Sequence, residues 1–104
     1  MSWTWLWLAG LLEIAWAAGL KYSHGFSRPL PTVFTLLAMV ASFWCLAQAV
    51  RALPLGTAYA VWTGIGAVGA FALGVWLFGE ALTPWRAACL ALIVIGIAGL
   101  KLGA

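Results

Sequence analysis

Four long apolar stretches constrain the fold of this chain more than any other feature. They cover residues 3–20, 31–50, 57–78 and 84–101. Short polar segments separate them, and prolines open the second and fourth, where a helix start tolerates the missing N–H. A helix that crosses a bilayer needs roughly 17–25 mostly apolar residues. The pattern predicts an all-α membrane protein, with four transmembrane helices forming a single domain over residues 1–104.

Composition supports this prediction and excludes several functions. Apolar residues make up 66% of the chain and charged residues 7%, whereas soluble domains carry about 25% charged residues. The formal charge of +3 is spread over the connections, so we expect no nucleic-acid binding. We find no cofactor motif, no metal-ligand spacing and no nucleophile–base pair. We therefore expect no cofactor, no metal site and no enzymatic activity.

The basic residues are almost evenly divided between the two membrane sides. Lys21, Arg28 and Arg86 fall on one side, and Arg51, Lys101 and the terminal amine on the other. Orientation follows the difference in Lys and Arg between the sides, so this chain is suited to inserting in both orientations. The alternative is that one orientation still prevails with few charges. An inverted second copy would give a small chain the symmetry that many transporters obtain from inverted repeats. We therefore expect an antiparallel homodimer.

Glu13 is the most unusual residue, because it places a carboxyl group inside the first apolar stretch. Such a charge costs roughly 2.5–3.5 kcal/mol on insertion scales. None of the five Lys and Arg residues lies inside the apolar core of a stretch, so no basic partner is expected at the same depth. The sequence indicates an intramembrane proton or cation site. A neutral, hydrogen-bonded glutamic acid at a helix interface is the structural alternative.

Aromatic and hydroxyl side chains accompany this acid at helical spacing. Trp16 shares its face of the first helix, and the second and third stretches offer Ser42, Tyr59 and Trp62. A carboxylate and ring faces together suit an organic cation, although each aromatic has packing or interfacial anchoring as an alternative. Further candidates for lining the pocket are Gly10, Met39 and Thr63.

Small residues in the last two stretches suggest movement or association. Gly64 and Gly66 are candidates for a helix bend, although close packing also explains glycines in membrane helices. Cys89 and Gly96 lie two turns apart and are candidates for a dimer face.

Three segments carry a resemblance to a known family. Residues 9–13 (AGLLE), 21–28 (KYSHGFSR) and 53–66 (LPLGTAYAVWTGIG) resemble the small multidrug resistance family of bacterial transporters, and the similarity extends over essentially the whole chain. Trp16, three residues after the glutamate, resembles the guanidinium-exporter branch, as do Ser42, Tyr59 and Trp62.

The resemblance implies a dual-topology dimer in the bacterial inner membrane that exchanges protons for guanidinium ion. Glu13 matches the proton and substrate site. Trp16, Ser42 and Trp62 match positions that orient the carboxylate, and Tyr59 matches a pocket residue. Small substituted guanidinium and quaternary ammonium ions are further expected substrates. The alternatives are a broad exporter of lipophilic quaternary ammonium cations and a non-transporting assembly or regulatory subunit.

Overall fold

The computed structural model describes residues 2–103 and consists of four α-helices. These are α1 (Ser2–Tyr22), α2 (Pro29–Ala49), α3 (Leu55–Phe78) and α4 (Pro84–Leu102). Each helix is long and apolar enough to cross a membrane. The predicted all-α class with four transmembrane helices is thereby confirmed.

Prolines set the starts of α2 and α4. Helix α2 begins at Pro29, two residues before the apolar stretch, because the prolyl ring fits the first helical position. The N–H of Thr32 donates to the carbonyl oxygen of Arg28 at 3.1 Å and closes the first turn. Before α4, the hydroxyl group of Thr83 accepts a hydrogen bond of 3.2 Å from the N–H of Arg86. The beginnings of α2 and α4 are therefore encoded locally.

The first helix makes the most extensive contacts with other helices. It contacts both α2 and α3, whereas the backbone of α4 packs against α3 alone. The buried core joins α1, α2 and α3, and consists of Leu6, Ala9, Cys45, Ala49, Ala58, Val61 and Trp62. By contrast, α4 contains no buried residue. The Cα atoms span 41 × 35 × 16 Å, so the chain is a thin slab with α4 at its margin.

Glycines allow α1 and α3 to approach closely. A Cβ atom at Gly10 would overlap the side chain of Ile65, and one at Gly69 would overlap that of Ile14. The backbone of each helix is thus in contact with side chains of the other. This close approach brings the middle of α1, where Glu13 lies, against α3.

Candidate functional site

Glu13 lies near the midpoint of α1 and faces the backbone of α3. A Cβ atom at Gly66 would overlap the Glu13 carboxyl group, so the acid occupies the space that a larger residue would fill. Its Oε1 atom is buried, and none of residues 2–103 forms a hydrogen bond with it. The acid is therefore held by packing rather than by a polar partner.

Trp16 adds a second polar atom without a partner, one helical turn after Glu13. Its Nε1 atom is buried and donates no hydrogen bond within the described chain. Residues three apart lie on one face of a helix, so α1 presents an acceptor and a donor on the same face. Leaving a buried polar group unpaired costs roughly 1–3 kcal/mol. Such groups are suited to binding a polar ligand.

Ser42 and Trp62 form a buried link between three helices. The Nε1–H of Trp62 donates to the Oγ of Ser42 at 3.0 Å, and that hydroxyl donates to the carbonyl oxygen of Ala9 at 2.7 Å. Ala9 lies one turn before Glu13 on α1. In this single chain, the indole donor of Trp62 is therefore directed at Ser42, and the hydroxyl donor of Ser42 at the backbone of the turn before Glu13. Neither donor is directed at the Glu13 carboxyl group.

An aromatic row runs beside the acid and includes a residue that the sequence reasoning missed. The ring of Phe43 lies 6.4 Å from that of Trp16 and 5.6 Å from that of Trp62, while Tyr59 lies 5.7 Å from Trp62. Phe43 directly follows Ser42, so selecting residues three or four apart on α2 did not include it. Its aromatic character, next to a polar residue within an apolar stretch, was the available signal.

The remaining candidates are less closely associated with the acid. Gly10 packs on Ile65, Thr63 and Tyr59 are exposed, and Met39 is half-buried. Their role in lining a pocket stays a prediction.

The candidates for a helix bend lie inside α3, which is continuous from Leu55 to Phe78. Gly64 contacts Ile93 and Ile97 of α4, whereas Gly66 contacts Glu13. The two glycines therefore each make a close contact, on different neighbours, and the bend stays a prediction.

The candidates for a dimer face lie on the outer helix. Cys89 and Gly96 are both exposed, and a Cβ atom at Gly96 would meet nothing within 4 Å. This part of α4 is open to a partner, but the dimer face also stays a prediction.

Comparison of this chain with known proteins finds one matching family and several relatives that share one name. The family described as Small Multidrug Resistance protein matches residues 1–93. A relative named "Guanidinium exporter" from Escherichia coli (strain K12) is 63% identical over 102 residues, covering 98% of this chain and 97% of the relative. Relatives with the same name occur in Salmonella typhimurium (59% over 104 residues; 100% of this chain, 99% of the relative) and Citrobacter freundii (59% over 102 residues; 98% and 97%). With its four membrane-spanning helices, the chain is a multi-pass protein of the bacterial inner membrane, and it belongs to the small multidrug resistance family.

Proposed function

We propose that this protein exports guanidinium ion in exchange for protons, and that Glu13 binds the two in alternation. The observation that carries the proposal is the buried Oε1 atom of Glu13, which has no hydrogen-bond partner among residues 2–103. The relatives described above are named "Guanidinium exporter", which supports guanidinium as the cation.

The environment of Glu13 favours exchange rather than permanent pairing. Within the described chain, the single salt bridge joins Lys21 to Glu80, so Glu13 has no cationic partner of its own. A buried carboxylate without a counter-ion is costly. Binding either a proton or a cation removes that cost, and one carboxylate cannot hold both. Proton and cation therefore compete, which is the basis for antiport.

The neighbouring groups suit a planar guanidinium ion. Its N–H groups can donate to both oxygens of a carboxylate in a fork, which a quaternary ammonium ion cannot do. The indole N–H of Trp16 is free to donate to the same carboxyl group and fix its orientation. The rings of Trp16 and Phe43 add faces that attract a cation. The combination selects for a small, flat cation.

The shape of the protein supports an antiparallel dimer. The Cα atoms extend only 16 Å along the shortest axis, and one helix with its side chains is already about 10–12 Å across. One chain is therefore too thin to enclose a cation on all sides. A second, inverted copy would cover the site, and the nearly balanced basic residues permit both orientations.

Transport by proteoliposomes tests the function. We expect a proton gradient to drive the uptake of radiolabelled guanidinium with the wild-type protein, and Glu13→Gln to abolish it because the substituted side chain cannot ionise. Glu13→Asp keeps the carboxyl group and should retain coupled transport at a lower rate. Proton-driven uptake by Glu13→Gln would contradict the mechanism. Transport of quaternary ammonium ions without guanidinium would favour the broad-exporter alternative.

Disulfide formation tests the dimer. If α4 helices cross in opposite directions midway between positions 89 and 96, Cys89 of one copy lies near position 96 of the other. Gly96→Cys should then produce dimers joined between positions 89 and 96. Cross-linking at Cys89 alone, to the same extent in the wild-type protein, would contradict this arrangement.

A further inference from the structure

A second group of charged and aromatic residues lies at the membrane surface, away from Glu13. The Nζ of Lys21, in the last turn of α1, is 3.1 Å from Oε2 of Glu80, which follows α3. Glu80 is the other of the two acidic residues in the chain. Both side chains are about half exposed, at 57% and 42%. Exposed ion pairs of this kind contribute little to stability, so the pair is readily exchanged for another interaction.

The ammonium group of Lys21 makes the contacts that an organic cation would make. Besides the Glu80 carboxylate, its Nζ lies 5.2 Å from the centre of the Phe78 ring. A carboxylate and an aromatic face are the two groups that attract guanidinium-type cations. The C-terminal end of α3 adds a partial negative charge from the helix dipole at the same place. Lys21 thus occupies a cation site formed by the end of α3.

The backbone fixes the carboxylate in this position. Gly79 adopts the left-handed conformation, with φ of 66°, and ends α3. The N–H of Glu80 then donates to the carbonyl oxygen of Gly74 at 3.1 Å. A Cβ atom at Gly74 would overlap the Glu80 carboxyl group, so the acid lies folded back on the helix end instead of extending into water.

A cavity of about 360 Å³ leads inward from this pair between α1 and α3. Lys21, Phe78 and Glu80 line its outer part, and the remainder is lined by small residues, including Ala17 and Ala67, together with Phe71 and Leu73. Ala17 lies one turn after Glu13 on α1, and Ala67 follows Gly66, which contacts Glu13. One helical turn rises about 5.4 Å, so the cavity extends to within about that distance of the acid along the helix.

We propose that Glu80 and Phe78 form an entry site for guanidinium-type cations, in which the Lys21 ammonium is a tethered competitor. This inference rests on the proposed transport of such cations at Glu13. An arriving cation displaces Lys21 from the carboxylate and the ring, and then moves through the cavity to Glu13. The site raises the occupancy of the pathway at low cation concentration and takes no part in proton exchange.

A purely structural role for the ion pair gives a different result in mutants. If the pair only ties α1 to α3, removing either partner should impair transport in the same way. If Lys21 competes with the cation, the two changes act in opposite directions. Glu80→Gln should raise the KM for guanidinium at least about threefold, and Lys21→Met should lower it about twofold or more. Arg28→Gln removes a positive charge from the same loop without breaking the pair. It should therefore change the KM for guanidinium by less than about twofold.

Binding is tested separately from transport. We would titrate guanidinium chloride into the ¹⁵N-labelled Glu13→Gln protein in micelles and follow the amide signals of Gly79 and Glu80, with potassium chloride as the reference salt. Saturable shifts are expected with guanidinium only. They should disappear in Glu13→Gln/Glu80→Gln and saturate at a lower concentration in Glu13→Gln/Lys21→Met.

The outcomes separate this site from the proposed function. If wild-type protein transports guanidinium but the two amides do not shift, or if Lys21→Met and Glu80→Gln both raise KM, the entry site is refuted and the role of Glu13 stands. If the wild-type protein transports no guanidinium, the proposed function fails, and an entry site for transport fails with it. Shifts that persist in that case would show cation binding at Glu80 that is independent of transport. Should Glu80→Gln fail to fold, the Lys21→Met titration decides alone.

Discussion

The contact between Gly66 and Glu13 gives the sharpest prediction. In Gly66→Ala, the added Cβ atom would overlap the Glu13 carboxyl group, and the three nearest atoms all belong to the Glu13 side chain. Overpacking of this kind costs typically 1–3 kcal/mol. Alanine is about 0.8–1 kcal/mol more favourable than glycine inside a helix, so much of the folding cost is offset. We therefore expect a folded protein in which the carboxyl group is displaced from its position beside Trp16.

The displacement should appear as a loss of transport. If the overlap acts on the cation-bound state, 1–3 kcal/mol corresponds to a decrease in kcat/KM for guanidinium of roughly 5- to 150-fold. The assay is the initial rate of proton-driven guanidinium uptake into proteoliposomes, with the amount of folded protein measured by size-exclusion chromatography and thermal melting.

Two other glycines of α3 are matched controls for this substitution. A Cβ atom at Gly56 would meet nothing within 4 Å, so Gly56→Ala should transport like the wild-type protein. Gly64→Ala introduces a contact with Ile97 of α4 instead of with Glu13, and measures the general effect of overpacking α3. If Gly66→Ala transported as well as Gly56→Ala, the close contact between Gly66 and Glu13 would not matter for function, and the reasoning would be wrong.

Three further predictions concern the polar groups of the site. Ser42→Ala removes both hydrogen bonds of the buried link, and should lower the free energy of unfolding by about 1–3 kcal/mol in a denaturant titration. Ser27→Ala is the control, because the Ser27 hydroxyl group donates only to nearby loop carbonyl oxygens. Trp62→Phe keeps an aromatic ring and the hydrogen bond from Ser42 to Ala9, so it should lower the free energy of unfolding by less, about 0.5–1.5 kcal/mol. The double mutant Ser42→Ala/Trp62→Phe should be as stable as Ser42→Ala to within about 0.5 kcal/mol. If proton and cation compete for Glu13 as proposed, lowering the pH on the side where guanidinium binds should raise the KM for guanidinium, by up to about tenfold per unit where one proton is displaced per cation. Saturating guanidinium should restore the maximal rate. A fall in the maximal rate at constant KM would contradict competition.

The sequence was sufficient for the fold because its signals are local. The four apolar stretches and the prolines at helix starts each encode one feature of a four-helix membrane protein. The site was predicted less completely. Helical spacing identified Trp16 beside Glu13, since both lie on α1, but it could not place Ser42 and Trp62 relative to each other. Their hydrogen bond joins residues 20 positions apart in sequence, and it depends on how α2 and α3 pack around α1.

The same limit explains why Phe43 and Lys21 were not selected for the site. Phe43 is on the aromatic row only because α2 is rotated so that its ring lies between those of Trp16 and Trp62. Lys21 appeared to be an ordinary basic residue at a helix end, and its pairing with Glu80 spans 59 positions. Contacts between residues on different helices depend on how each helix is rotated about its axis and how deep it lies in the membrane. An apolar pattern encodes neither.

The uneven packing of the four helices indicates a division of roles. Helix α1 has neighbours on both sides, and the buried link from Trp62 through Ser42 to Ala9 restrains the turn before Glu13. Glu13 is therefore attached to the helix with the most extensive packing, which restrains the position of its carboxyl group. Helix α4 has no buried residue and contacts the others mainly through α3. In the proposed dimer, α4 is thus the element that can associate with a partner without disturbing the site, whereas a rearrangement that opens the site must move α1 relative to α3. The residues that govern access should consequently lie along the α1–α3 contact, from Gly66 to the Lys21–Glu80 pair, rather than on α4.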